Sequence, residues 1–188
     1  ICEYVHLPIQ SGNSRILNLM NRGYTREEYL EKMRMIKKAI PNCVLSTDII
    51  VGFPGETEEE FQDTVSLVKE VGFETIFAFK YSPRPFTKAA RFEDQIAEEV
   101  KSDRLNRLFA AHDEMAFEIV KKYENEVMDI LVETFDEKRG NFSGRSSQNK
   151  SVHFVGPAEE KSSLIGKTVK VKILKAFPAT LRGEMVIS

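Results

Sequence analysis

The first 80 residues alternate between short apolar runs and helix starts, and this alternation restricts the fold more than any other feature. Two capping boxes, Thr25–Glu28 and Thr57–Glu60, each begin a helix, because the Thr side chain accepts a hydrogen bond from one free helix N–H and the Glu side chain reaches back to another. The runs Tyr4–Ile9, Val44–Val51 and Thr75–Tyr81 have the β-branched and aromatic composition of strands. This strand–helix order predicts parallel strands joined by right-handed crossovers.

The helix ends and the loops after the strands can also be located. Pro41 ends the helix that begins at Thr25, and Gly72 is the expected C-terminal cap of the next helix. In parallel α/β folds the chemistry lies in the loops after the strands, here 10–12, 52–56 and 82–85. Three strand–helix units are too few to close an eight-stranded barrel, so we expect part of a larger one.

The pattern changes near residue 120, after a long helix predicted over Ser102–Tyr123. Short strands with polar or glycine-containing connections follow, and they favour a small barrel of the OB type. We therefore predict an α/β partial (β/α) barrel over residues 1–120 and a small all-β, OB-like domain over residues 121–188. The five strands are expected at 127–132, 141–144, 151–155, 169–174 and 181–187.

The charge distribution is uneven along the chain. Residues 138–188 carry ten Lys or Arg against three Asp or Glu, although the whole chain has a net charge of −2. The segment Val169–Ile173 alternates apolar and lysine positions, which predicts one apolar and one basic face. A basic lobe of this kind indicates contact with a polyanion. The alternative is a lysine-rich surface that only faces solvent.

Cysteine and histidine usage excludes several classes of protein. With two cysteines, Cys2 and Cys43, a disulfide framework is excluded and a reducing, cytoplasmic setting is expected. The three histidines lie far apart, no CxxC pair supports zinc, and His112 falls on the stripe of a helix as a packed residue. We expect no metal site and no membrane span. The chain opens at Ile1 without an initiator Met, which suggests a piece of a longer protein.

The loop after the second strand carries the most informative local chemistry. Gly52 directly follows an apolar strand, so a flat ligand can approach a backbone that has no Cβ. Thr57 begins a helix whose free N–H groups favour an anion. A tight strand-to-helix turn explains the glycines of this loop equally well.

Several longer motifs resemble one family. The segments His6–Gly12, Met20–Thr25, Thr47–Thr57 and Tyr81–Pro85 closely resemble the second half of the radical-SAM domain of tRNA methylthiotransferases. The tail is similar to the small RNA-binding TRAM domain that closes these enzymes, through Ser143–Arg145, Val152–Phe154, Gly166–Lys167 and Leu181–Glu184. Pro8 and the Ser-Gly-Arg…Phe pattern resemble the MiaB-type branch. The sequence departs from the family at Phe86, where Gly is usual.

The resemblance implies a function and its cofactors. The MiaB-type branch methylthiolates carbon 2 of isopentenyladenosine at position 37, next to the anticodon of tRNA. It uses S-adenosyl-L-methionine (SAM) and two 4Fe–4S clusters, and the CxxxCxxC motif that holds one of them is absent from this sequence. The resemblance therefore implies the C-terminal part of a transferase, inactive alone. We expect such a part to associate through its exposed sheet edge.

The resemblance also implies roles for single residues, although it assigns no catalytic one. Gln10 and Ser11 would contact the SAM ribose, and the segment 50–52 would lie against its adenine. The cofactor-binding candidates are Gln10, Ser11, Asp48, Ile50, Val51, Gly52 and Arg84. The RNA-binding candidates are Arg22, Arg145, Lys150, Lys170, Lys172 and Arg182, with Phe142 and Phe154 as rings that would stack on bases. Two alternatives stay open: a methylthiotransferase for threonylcarbamoyl-adenosine or a ribosomal protein, and a non-catalytic RNA-binding adaptor.

Overall fold

The computed structural model describes residues 2–186, and these residues form two compact units. The α/β unit comprises Val5–Ala116, and the barrel unit comprises residues 117–186 together with residues 2–4. The α/β architecture followed by an all-β one, as expected from the sequence, is confirmed. The domain boundary at residue 120 stays a prediction.

The first part of the chain forms a three-stranded sheet with helices between its strands. The strands stand in the order β1–β2–β3, and β2 pairs with β3 in parallel from Ser46 opposite Thr75 to Val51 opposite Lys80. The elements in chain order are β1 (Tyr4–His6), α1 (Ser14–Leu19), α2 (Arg26–Ala39), β2 (Val44–Val51), α3 (Glu58–Val71), β3 (Thr75–Lys80) and α4 (Glu98–Lys121).

Both predicted capping boxes are present. The Glu28 N–H donates to Thr25 Oγ1 at 3.3 Å while the Thr25 N–H donates to Glu28 Oε2 at 2.8 Å, and Thr57 and Glu60 repeat the arrangement at the start of α3. Gly72 caps α3 with a φ of 69°, as predicted. These helix starts therefore follow from local sequence alone.

The helices cover one face of the sheet and leave the other face open. On β3, Ile76 and Ala78 are buried under the helices, whereas Phe77 and Phe79 point to the opposite side and are 46% and 58% exposed. The core of the unit is built mainly from the covered face and the helices: Ile9, Leu17, Tyr29, Met33, Leu45, Ile49, Val51, Phe61, Leu67, Val68 and Phe73.

Helix α4 begins four residues earlier than predicted and ends two residues earlier. Its apolar stripe includes Leu108 and Ala116 as expected, and His112 is buried as predicted. The structure adds Lys101 and Arg104 to the buried face. Sequence periodicity missed these two cations because they are buried against the loop after β2, which the stripe alone does not reveal.

The second unit is a closed barrel, as the five short strands predicted. Neighbouring strands follow the order β4–β5–β6–β8–β7, and β7 pairs with β4 to close it. Among the described strands of this barrel, β6 and β8 pair in parallel and the other neighbours pair antiparallel. The elements are β4 (Val127–Asp136), β5 (Asn141–Ser146), β6 (Ser151–Val155), α5 (Lys161–Leu164), β7 (Thr168–Ala176) and β8 (Thr180–Met185). Ile187, which we included in the last predicted strand, lies outside the described residues.

Two glycines let the barrel strands approach closely where the sheet bends. A Cβ on Gly144 would lie 2.1 Å from the Leu131 carbonyl oxygen, and one on Gly183 would lie 2.3 Å from the Lys172 carbonyl oxygen. The pairing register shifts beside each glycine, between residues 132 and 134 and between residues 173 and 175. Each glycine is therefore required by the close approach of its strand to the neighbouring strand at an irregularity in the pairing.

Candidate functional site

An open cavity of about 580 Å³ lies at the edge of the α/β sheet where the strands end. Gln10 follows β1, Ile50 lies near the end of β2, and Tyr81 directly follows β3. The loops after parallel strands are the usual place for a ligand site in such folds. The other lining residues are Asn18, Leu19, Met20, Asn21, Arg22, Phe53, Arg84, Thr87, Lys88 and Ala89.

Gln10 holds an unusual backbone conformation in this wall. Its φ is 75°, a region that residues with a Cβ rarely adopt. Two hydrogen bonds fix it there: the Gln10 N–H donates to the Asp48 carbonyl and the Ile50 N–H donates to the Gln10 carbonyl, both at 2.9 Å. Strained backbone of this kind is concentrated at functional sites. Gln10 is therefore a positioned wall residue rather than a flexible loop residue.

Three cations line the same cavity. Arg22, Arg84 and Lys88 are exposed, and within residues 2–186 none of them has a carboxylate within ion-pair distance. Side-chain amides of Asn18 and Asn21 lie beside them in the wall. Unpaired cations with neighbouring amides are suited to bind phosphate or carboxylate groups.

Tyr81 supplies a polar atom that lacks a protein partner. Its hydroxyl group is buried and makes no hydrogen bond to any of the residues 2–186, whereas its ring packs edge-on against Phe53 with 5.1 Å between centroids. A buried hydroxyl without a partner costs stability unless a ligand or water completes it. Because this oxygen has almost no accessible surface, the open cavity presents to a ligand the apolar wall at Ile50 and Phe53 and the cations beside it.

The loop after β2 is held by a buried ion pair. Glu56 Oε2 accepts hydrogen bonds from the Gly52 N–H at 2.7 Å and from Arg104 Nη1 at 2.8 Å. Burial raises the pKa of Glu56 in spite of these two donors, and its Oε1 atom has no hydrogen-bond partner among the described residues. A Cβ on Gly52 would lie 2.5 Å from Lys101 Cγ. The expected open approach to Gly52 is therefore wrong, because the Lys101 side chain fills that space and Glu56 takes the N–H.

Three further cofactor candidates lie outside the cavity wall. The side chain of Ser11 is buried and accepts the Asn13 N–H at 3.3 Å, and that of Val51 is buried in the helix-covered core. The hydrogen bond expected from Ser11 to the SAM ribose is corrected, because its side chain faces the protein interior. The role of Val51 as part of the segment 50–52 against the adenine stays a prediction. Asp48 lies on the open face of the sheet, 3.4 Å from His6 Nε2. Of the seven candidates, the cavity unites Gln10, Ile50 and Arg84, and the RNA candidate Arg22 joins them.

On the barrel, Arg145 and Arg182 lie on the outer surface beside the two close-packed glycines. Alternation along a strand turns each Arg outward when the neighbouring glycine faces the interior. Arg145 lies opposite Ser151, and Arg182 lies opposite His153, so β6 separates the two guanidinium groups. Arg145 Nε is 3.3 Å from Glu133 Oε1, and the Arg182 guanidinium lies 5.1 Å from the Phe177 ring.

Lys170 and Lys172 occupy the outer face of β7, as the alternating pattern predicted. Acidic residues lie next to both: Lys170 Nζ is 3.1 Å from Asp129 Oδ1, and Lys172 stands opposite Glu184 in the pairing of β7 with β8. The positive potential at this face is therefore weaker than the number of basic residues in the sequence indicated.

Three RNA-binding candidates are corrected by the structure. Phe142 and Phe154 are 0% and 1% exposed and stack on each other inside the barrel, with 5.5 Å between ring centroids. Neither ring is available to a base, so the prediction of stacking is wrong. Lys150 is 7% exposed and therefore does not offer its charge to a polyanion at the surface.

Both cysteines of the chain are free thiols. Cys2 and Cys43 are 41 positions apart in the sequence, and residues 2–186 contain no group of three His, Cys, Asp or Glu side chains that would hold a metal ion. None of the helices in the described part of the chain has the length and hydropathy of a membrane span.

Comparison with known proteins assigns both parts of the chain. Residues 1–68 match the radical SAM superfamily, and residues 121–186 match the TRAM domain. The chain carries a radical SAM segment and a TRAM domain. The radical SAM segment supplies the cavity residues from Gln10 to Phe53, and the TRAM domain is the closed barrel.

Several relatives with the same name align with nearly the whole chain. A tRNA-2-methylthio-N(6)-dimethylallyladenosine synthase of Bdellovibrio bacteriovorus is 64% identical over 186 residues, which is 99% of this chain and 40% of the relative. Synthases of the same name from Aquifex aeolicus and Clostridium botulinum are 48% and 50% identical, over 99% of this chain and 41% of each relative. The resemblance predicted from the motifs is confirmed. The chain spans about 40% of the length of these relatives.

The cavity contains residues that the sequence did not single out for a role. Tyr81 occupies the first position after β3. Like Gln10 and Ile50, it therefore lies at the edge of the sheet where the strands end. Its position directly after a strand would have been enough to predict a place in the site. Asn18, Asn21 and Lys88 lie on helix ends and loops whose path the sequence does not specify.

Proposed function

We propose that this chain forms the later part of the radical-SAM barrel and the RNA-binding TRAM domain of a tRNA-modifying enzyme. The enzyme would methylthiolate carbon 2 of isopentenyladenosine at position 37, next to the anticodon. The observation that carries the proposal is 64% identity, over nearly the whole chain, to a relative named for the synthesis of this 2-methylthio nucleoside. As tRNA is its substrate, the enzyme would act in the cytoplasm.

SAM would be held partly by the cavity of the α/β unit. Ile50 and Phe53 offer an apolar wall for the adenine, and the Gln10 side chain offers a polar contact. Arg84 would hold the carboxylate of the amino acid part. When bound, SAM supplies the hydrogen-abstracting radical and the transferred methyl group. The two 4Fe–4S clusters that such an enzyme requires would be held by cysteines beyond those of this chain.

The TRAM domain would hold the tRNA through its outer surface. Arg145 and Arg182 project from neighbouring parts of the barrel, and ten of the last 51 residues are basic. Lys170 and Lys172 would add further contacts on β7, where acidic side chains lie beside them as Glu133 lies beside Arg145. Cations that follow a phosphate backbone bind RNA without reading its sequence. The choice of adenosine would then be made in the α/β unit.

The two alternatives predict different products. A methylthiotransferase for threonylcarbamoyl-adenosine or for a ribosomal protein would leave isopentenyladenosine unmodified, and an adaptor would modify nothing. The relatives named above are synthases of the 2-methylthio-dimethylallyl nucleoside, which favours the first proposal.

A chimera tests the proposal directly. The segment of the Bdellovibrio bacteriovorus relative that aligns with this chain is replaced by this chain, and the chimera is expressed in a strain whose own synthase gene is deleted. We expect mass spectrometry of digested tRNA to detect the 2-methylthio derivative of isopentenyladenosine. The matched control carries Arg84→Glu in the chimera, which should abolish most of the product without changing the amount of protein.

Two outcomes of this experiment would contradict the proposal. Modification of threonylcarbamoyl-adenosine instead would move the chain to another branch of the family. A folded chimera that binds tRNA and yields no modified nucleoside would favour the adaptor.

A further inference from the structure

Phe86 is the most exposed large apolar side chain among the described residues, at 97%. Its φ is 69°, in the left-handed region that favours glycine and is unfavourable for a residue with an aromatic side chain. Apolar exposure and backbone strain thus coincide at one position. Packing does not account for either feature, because the ring packs on almost nothing in this chain.

The turn that presents Phe86 is rigid. The Thr87 N–H donates to the Arg84 carbonyl at 3.3 Å, with Pro85 in the second position and Phe86 in the third, which is the pattern of a type II β-turn. The Thr87 hydroxyl also donates to the Arg84 carbonyl at 2.8 Å and accepts the Ala90 N–H at 3.3 Å. The ring is therefore held out from a fixed backbone at a small entropic cost on binding.

The residues around this ring belong to the cationic cavity. Arg84, Thr87 and Lys88 line the cavity on either side of Phe86, and Arg22 faces them from the loop after α1. An exposed aromatic ring beside unpaired cations is the arrangement by which proteins bind single-stranded nucleic acid, since bases stack on the ring and phosphates pair with the cations.

We propose that Phe86 stacks on an unpaired base of the RNA substrate while Arg22 and Lys88 contact the adjoining phosphates, with Arg84 left to the carboxylate of SAM. This inference rests on the proposed function, because it takes tRNA as the ligand. It adds a recognition residue in the α/β unit, separate from the outer surface of the TRAM domain. A protein partner would use the exposed ring equally well, but three unpaired cations around it favour a polyanion.

The chain contains no tryptophan, so Phe86→Trp introduces a single selective fluorophore. The full 188-residue variant is titrated with a 17-nucleotide RNA hairpin that has a seven-base unpaired loop, and with a fully paired RNA duplex of equal charge. We expect stacking to quench the indole fluorescence with the hairpin and to leave it unchanged with the duplex. Met35→Trp, on the exposed side of α2, is the matched control and should report no quenching with either RNA.

Affinity measurements on substituted chains separate stacking from other roles. Phe86→Tyr should bind the hairpin as the wild type does, whereas Phe86→Leu and Phe86→Ala should bind about 5- to 100-fold more weakly. Wild-type affinity in Phe86→Leu and Phe86→Ala, with weaker binding in Arg145→Glu, would overturn the stacking role and leave the proposed function intact. A loss of self-association in Phe86→Ala without a change in RNA affinity would also overturn it. Failure of the wild-type chain to bind either RNA would overturn both proposals.

Discussion

Glu56 Oε2 lies 2.8 Å from Arg104 Nη1, and the two side chains are 1% and 6% exposed. This buried pair joins the loop after β2 to helix α4, and the same carboxylate oxygen accepts the Gly52 N–H. The pair therefore sets the path of the loop that carries Phe53 into the cavity.

Removing one member of this pair should destabilise the α/β unit strongly. Glu56→Ala leaves the Arg104 charge buried without its partner, and we expect the free energy of unfolding to fall by about 3–5 kcal/mol. Glu56→Ala combined with Arg104→Met should recover most of the loss, because no charge then stays buried. Urea unfolding followed by helical circular dichroism measures both. A double variant no more stable than the single one would contradict the explanation.

The pH dependence of stability should report the same carboxyl group. Burial raises the pKa of Glu56 above 4.5, so the folded state holds this proton more tightly than the unfolded chain does. The stability that its titration contributes is complete below the unfolded pKa and is lost as the pH rises through the folded one. Since Glu56→Gln does not titrate, the stability of the wild type relative to this variant should increase as the pH falls from about 7 to about 4, below the ordinary value of 4.5. Unfolding of both chains at the two pH values checks the sign, and a difference that shrinks on acidification would show that the pair lowers this pKa.

Phe86→Gly should stabilise the chain although it removes a side chain. Glycine adopts a φ of 69° without strain, so the substitution removes the strain energy of this turn. Glycine also loses more backbone entropy on folding, and we expect the relief of strain to be the larger effect, with a net stabilisation of about 0.5–1 kcal/mol. Phe86→Ala keeps the strained conformation and is the matched control, with little expected change because the ring is so exposed. Thermal unfolding compares the three chains. Equal melting temperatures for Gly and Ala would mean that the turn is not strained at this position.

Gly144→Ala should disrupt the barrel. The new methyl group would overlap the Leu131 carbonyl oxygen, and because backbone of a paired strand cannot shift as a flexible side chain does, we expect a loss of about 3 kcal/mol or more. Gly23→Ala is the control, since nothing lies within 4 Å of the added carbon. Amide NMR spectra of the two variants show whether the barrel resonances shift in Gly144→Ala and stay in place in Gly23→Ala. Unchanged barrel resonances in Gly144→Ala would contradict the close approach.

Reversing the charge of Arg145 and Arg182 should weaken tRNA binding and reduce its salt dependence. Each single-stranded phosphate contact contributes about −0.7 to the slope of log affinity against log salt, so losing two should flatten the slope by about 1.4. Lys32→Glu with Lys38→Glu on α2 changes the net charge equally and should leave the slope nearly unchanged. Filter binding at several salt concentrations provides both slopes. Equal effects of the two pairs would mean that the barrel surface is not the RNA contact.

The exposed edge strand β3 should promote self-association. Phe77 and Phe79 lie on its open face, and an edge strand with apolar side chains is a template for pairing. Phe79→Lys should shift the chain toward the monomer in sedimentation velocity, whereas Met35→Lys on α2 should not. A wild-type chain that sediments as a monomer at all concentrations would contradict this prediction.

Local sequence was sufficient for most helix and strand positions. The capping boxes at Thr25 and Thr57, the cap at Gly72 and the strand Val44–Val51 all appear where the residues predicted them. The reason is that caps and short-range periodicity act between residues only a few positions apart. The motif glycines 144 and 183 were noticed for their resemblance to a family, but their role in strand approach was visible only in three dimensions.

The sequence alone therefore determined the elements of this protein, the α/β-then-β order and the basic character of its tail. Only the tertiary structure decided which face of each strand is buried. Alternation defines two faces, but closure of the barrel places Phe142 and Phe154 in its core and Arg145 outside. In the same way, Lys101 fills the space at Gly52, and Arg22, Arg84 and Lys88 meet in one cavity. These contacts join residues up to 66 positions apart, whose distances depend on packing between elements and not on local sequence.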